Sequence, residues 1–135
     1  MAEAPVELLQ RVPLFADFDR GDLERLARTF KERTFDAGST VAQEGKGGAG
    51  FFVIESGEAT VSVRGGEHGK LGPGDYFGEI ALLRDVPRTA TVTARTATEL
   101  FALERDDFLA AVTGHSGSAE AAEAVVGARL GMSTI

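Results

Sequence analysis

The spacing of apolar residues changes twice along the chain. Leu23, Leu26, Ala27 and Phe30 recur at i, i+3, i+4 and i+7, the single stripe of an amphipathic helix, with Asp22, Glu24, Arg25 and Lys31 left for water. Asp19 is the candidate N-cap of that helix. Before it, residues 6–12 predict a shorter helix stopped by Pro13, and Leu14, Phe15 and Phe18 follow as apolar anchors in a turn. From Arg33 the period falls to two, predicting short strands separated by Ala37-Gly38, the glycine-rich loop 45–50, Ser56-Gly57 and a Gly65-Gly66 hairpin. Ala59, Val61 and Val63 share one face of their strand, and Ala90, Val92 and Ala94 share one face of another. After Glu104 the helical period returns: Asp106 and Asp107 open a helix whose buried side is Phe108, Leu109 and Val112. Residues 114–117 break it, and an alanine-rich last helix is expected over 118–129. The pattern predicts one mainly β domain with flanking helices, an antiparallel barrel or jelly roll. Its parts are a helical segment 5–32, a barrel 33–104 and C-terminal helices 105–131.

One stretch, residues 74–92, fits neither period. Gly74 and Gly78 ease a sharp turn, and Gly78 is expected to let a ligand approach the main chain. Residues 79–83 suffice for one or two helical turns before Asp85 and Pro87 end them, so the first amides, at Glu79, Ile80 and Ala81, lack intrahelical partners and suit an anion. Arg88 arrives where the chain turns back into a strand expected over 89–95, and its guanidinium fork opposite those amides makes a phosphate clamp. Glu79 is out of place beside a bare phosphate. It fits a ligand that also offers hydroxyl donors, such as a nucleotide whose phosphate lies close to its ribose. The plainer alternative is that Glu79 and Arg88 only pair with each other across the loop.

The run Phe77-Gly78-Glu79-Ile80-Ala81-Leu82-Leu83, followed by Pro87-Arg88-Thr89-Ala90, resembles the phosphate-binding cassette of cyclic-nucleotide-binding domains, the cAMP and cGMP sensors of kinases, channels and bacterial regulators. The resemblance extends over about residues 8–130 and is closest to bacterial channel-type and regulator members. It implies that Glu79 takes the ribose 2′-OH and Arg88 the cyclic phosphate. The backbone of Gly78, Glu79, Ile80 and Ala81, with that of Thr89 and Ala90, completes the cradle. It also implies a last helix closing over the purine, with Arg129 as the candidate to stack on the base; a helix-end cation facing the dipole is the alternative reading of Arg129. Val61, Val63 and Leu71 are expected along the pocket wall, although any inward strand residue of a barrel would look the same. Thr89 resembles the choice of domains that accept cGMP, yet one hydroxyl contributes only about 1 kcal/mol, and cAMP is favoured.

Composition narrows the classes. The 135 residues suit one domain with a sizeable core, and no apolar run is long enough to span a membrane. No secretory leader is visible, and the absence of cysteine suits a cytoplasmic protein. A net charge of −7 argues against a nucleic-acid surface and repels an anionic nucleotide at long range, so affinity has to come from short contacts inside the cassette. No enzymatic chemistry and no metal or cofactor is expected. A cupin-type barrel enzyme, echoed by Gly72-Pro73-Gly74-Asp75, needs a histidine cluster, whereas the sequence has only His68 and His115. The third class is a structural interaction domain that binds no ligand. Gly127 and Gly131 weaken the last helix by roughly 1 kcal/mol each relative to Ala, which predicts a lid ordered by ligand and able to carry a signal. The effector it would act on, a separate protein or a fused output domain, is not written in the sequence, nor is the oligomeric state.

Overall fold

α1 (Val6–Gln10) ends ahead of Pro13, which opens a 3-10 turn, Pro13–Phe15. α2 (Arg20–Thr29) begins at Asp19, whose carboxylate accepts from the Asp22 amide at 2.8 Å, the bond expected of an N-cap. The computed structural model describes residues 4–46, 50–84 and 87–113, the side chains of 80, 81, 84 and 113 excepted. The expected last helix, with Arg129, Gly127 and Gly131, and His115 before it, lie outside the described residues.

The described strands are β1 (Lys31–Phe35), β2 (Thr40–Ala42), β3 (Gly50–Ser56), β4 (Ala59–Val63), β5 (Gly66–Leu71), β6 (Tyr76–Phe77), β7 (Thr91–Ala94) and β8 (Thr98–Glu104). They form two antiparallel four-stranded sheets, ordered β1-β8-β3-β6 and β2-β7-β4-β5. Among the described residues, two helices follow from the cassette onward, α3 (Glu79–Arg84) and α4 (Arg105–Thr113). The mainly β architecture with flanking helices is the one the sequence pattern predicts.

Several boundaries differ from the sequence reading. β1 starts at Lys31, before Arg33, because pairing with β8 runs back to Lys31 opposite Ala102. The hairpin between β4 and β5 turns at Arg64 (φ 53°) and Gly65 (φ 82°), one residue before the expected Gly65-Gly66, since Val63 already pairs with Gly66. β7 is confined to Thr91–Ala94, and Thr89 and Ala90 form bends that lead into it. β6 is too short to show a period.

β3 explains why the two layers hold together. Its residues alternate between two apolar clusters. Phe51 and Val53 pack with the helices, among Phe15, Leu23, Phe108 and Leu82, while Phe52 and Ile54 pack between the sheets with Val61, Phe77, Val92 and Leu100. Phe51 stacks on Phe108 (4.9 Å between centroids), and Phe52 on Phe77 at the same distance. Each fully buried phenyl contributes on the order of 2–3 kcal/mol.

Candidate functional site

The cassette hangs from β3 by backbone bonds. The Gly74 amide donates to the Ile54 carbonyl at 2.9 Å, and the Ile54 amide donates to Asp75 O at 2.9 Å. Asp75 Oδ2 accepts from the Gly72 amide at 2.8 Å and locks the turn. Tyr76 and Phe77 then pair with Val53 and Phe52 as β6, and the chain leaves the sheet at Gly78.

Gly78 has φ +102°, and a Cβ there would lie 2.5 Å from the Gly50 carbonyl oxygen and 3.3 Å from Arg88 Nη1. On the side where a side chain would stand, Gly78 is thus packed against the protein's own backbone. Glycine is required so that the cassette can lie against the first residue of β3.

α3 follows at once. Glu79, its first residue, is fully buried, and Leu82 anchors the helix in the helical cluster. Ile80 and Ala81 belong to α3 by their backbone. Arg88 comes next to Glu79 in space through a second set of main-chain bonds: its amide donates to Lys46 O at 2.8 Å, and its carbonyl accepts from the Gly45 amide at 2.9 Å. Its side chain points inward and is only 9 % exposed. Nη2 donates to the Gly50 carbonyl at 3.2 Å, and the guanidinium carbon lies 5.5 Å from the centroid of the Phe52 ring. Burial pushes the Arg88 guanidinium below its ordinary pKa, and the nearby Glu79 carboxylate pulls it back up.

The structure therefore brings together Gly78, Glu79 and Arg88 from the predicted set. Thr89 is half-buried and Ala90 buried on the segment that leads into β7. Phe77, Val61 and Leu71 are buried in the inter-sheet cluster, with Val63 packed against it. Gly50 and Phe52 were missed as partners of Arg88. The glycine closing the 45–50 loop was the available signal, but which carbonyl it would expose depends on a strand pairing that no local pattern encodes. A cavity of about 500 Å³ lies beside Arg88, between β1, β2 and β8, and does not include Val61, Val63 or Leu71 in its lining.

In physical terms this is a double-sheet barrel in which, among the described residues, one buried cation is held beside a buried carboxylate by a tight turn and a short helix. A family profile described as the cyclic nucleotide-binding domain matches residues 32–115. The chain belongs to that family. It is 41% identical over 102 residues to a cAMP-dependent protein kinase regulatory subunit of Yarrowia lipolytica, covering 74% of this chain and 27% of that protein. It also resembles the regulatory domain of Toxoplasma gondii PKA solved with cAMP, with a TM-score of 0.78 and 26% identity over 89% of this chain and 48% of that one. The Thermus thermophilus catabolite activator protein is similar too, with a TM-score of 0.76 and 30% identity over 87% of this chain and 58% of that one. The chain spans about a quarter of the length of the curated regulatory-subunit relatives it matches.

Proposed function

We propose that this chain is a regulatory module that binds a 3′,5′-cyclic nucleotide, cAMP in preference to cGMP, and has no chemistry of its own. The observation that carries this reading is the inward, nearly buried Arg88 beside the fully buried Glu79. A cation taken out of water needs a strong partner, and Glu79 with the Gly50 carbonyl leaves guanidinium donors for a phosphate. In this reading Arg88 meets the cyclic phosphate and Glu79 accepts from the ribose 2′-OH, with the amides of Gly78, Glu79, Ile80 and Ala81 and of Thr89 and Ala90 around them. Val61, Val63, Leu71 and Phe77 stand behind the sugar and base, and Arg129 on the last helix stacks on the purine. The cAMP-bound Toxoplasma gondii relative supports cAMP as the ligand.

Isothermal titration of cAMP and cGMP into wild type and Arg88→Ala tests the clamp. Losing a buried charge-assisted bond of about 2–4 kcal/mol weakens cAMP binding roughly 30- to 1000-fold. Equal affinity in the two proteins overturns it. The last helix carries the signal by ordering over the bound nucleotide and acting on a protein effector or on an output domain outside the chain. Amide exchange across residues 119–130 slows with cAMP if this holds, and equal protection with and without ligand removes it.

A further inference from the structure

The cavity beside Arg88 gathers three cations that the nucleotide reading leaves unused. Lys31, Arg33, Lys46 and Arg88 converge on it against one carboxylate, Glu104, in a chain whose net charge is −7. Glu104 is already held by Lys31 at 3.0 Å. Among the described residues, Arg33 and Lys46 have no carboxylate partner. The floor is apolar: Phe35, Ala42, Phe52 and Ala102 line it, and all four belong to or pack on the inter-sheet cluster. Arg33 lies over the Phe35 ring at 6.0 Å, so one rim cation is steered by an aromatic face. The volume, about 500 Å³, falls within the roughly 300–1,000 Å³ of small-molecule sites.

We propose that this cavity binds a small amphiphilic anion, a carboxylate on an apolar body such as a medium-chain acid. The apolar body rests on Phe35, Phe52 and Ala102, and the carboxylate lies between Arg33 and Lys46 at the rim. The site is distinct from the nucleotide cradle but shares a wall with it. Arg88 Nη1 lies on the Gly78 side and Nη2 bonds the Gly50 carbonyl, which lines the cavity, so one guanidinium borders both spaces. Because the head group sits on Arg33 and Lys46 instead of Arg88, the two ligands bind together.

Decanoate titrated calorimetrically at low salt, with and without saturating cAMP, tests this. The double variant Arg33→Gln/Lys46→Gln removes the two exposed rim charges outside the cassette without adding negative ones, and its thermal melt reports folding. The expected result is decanoate binding in both conditions for wild type, at least tenfold weaker in the double variant, with cAMP affinity in that variant within twofold of wild type. Decyltrimethylammonium, with the same tail and opposite charge, is expected not to bind. Decanoate binding that is absent, unchanged in a folded double variant, or abolished by cAMP overturns the proposal. A chain that takes decanoate but not cAMP leaves this site standing and removes the nucleotide reading, so the two fail separately.

Discussion

At its first residue β3 offers a carbonyl to a buried guanidinium, and five residues on it carries Glu55, which meets two charges of its own sign. Glu32 of β1, Glu55 of β3 and Glu99 of β8 place a carboxylate oxygen each within 4.8 Å of one another. They share the face of the sheet that the helices cover over Phe51, Val53, Phe101 and Leu103, at the end the helices leave open. Glu55 is pushed above its ordinary pKa by partial burial first and then by Glu99 and Glu32. Arg88 is displaced by burial as well, but there the neighbouring Glu79 works against the shift. The contrast shows how the same sheet treats charge. Where water is excluded, an opposite charge and a backbone acceptor are built in; where water enters, like charges are tolerated because solvent screens them.

The largest test of this contrast is steric. Each end of β3 is pressed by a glycine: Gly78 at one, and at the other Gly57, with φ +90° and a Cβ that would lie 2.4 Å from the Ala97 carbonyl. Alanine at either position combines backbone strain with overlap and is expected to cost on the order of 3 kcal/mol in denaturant unfolding. Only Gly78→Ala also shifts Arg88, so at temperatures where both variants remain folded it alone loses cAMP affinity. Equal cAMP affinity in the two would break the link between Gly78 and the clamp.

A smaller effect separates the carboxylates. Glu79→Gln removes the compensating charge beside Arg88 but keeps an acceptor of the same size, and is expected to destabilise by about 1–3 kcal/mol. Glu55→Gln is expected to do the reverse at neutral pH, stabilising by roughly 0.5 kcal/mol or less because solvent screens the trio. The sign follows from linkage. With its folded pKa above its unfolded value of 4.5, Glu55 holds its proton more tightly when folded, so the wild type loses stability as pH rises through that interval. Thermal melts of Glu55→Gln and wild type should differ at pH 7 and converge below pH about 4. A gap that persists in acid, or that survives high salt undiminished, would mean that Glu55 acts through packing instead of charge.

How much of this could be read beforehand depended on distance along the chain. The stripe of α2, its Asp19 cap and the alternation of β4 and β7 are local, and residues three or two apart announce them. That Gly78, Glu79 and Arg88 lie together could be read beforehand because all three belong to one short segment that fits neither the helical nor the strand period. Lys31 and Glu32 look like the end of a helical stripe and become strand only through pairing with Ala102 and Phe101. The Glu32–Glu55–Glu99 group arises from three strands, and the cation-rimmed cavity from four, that include β1 and β8 at opposite ends of the barrel sequence. The double allegiance of β3 was hidden for a related reason: a strand apolar on both faces has no period to betray which neighbour each side chain meets.

The order β1-β8-β3 has a consequence for how the molecule comes into being. The shared partner of β1 and β3 is the last of the described strands to be synthesised, and Lys31 waits for Ala102 across more than half the chain. A nascent chain that has emerged only as far as the cassette can pair β3 with β6 but leaves β1 without its neighbour, so the first sheet cannot be completed stepwise behind the ribosome. β8 can insert between β1 and β3 only once residue 104 is free, and until then one edge of β3 lacks its partner.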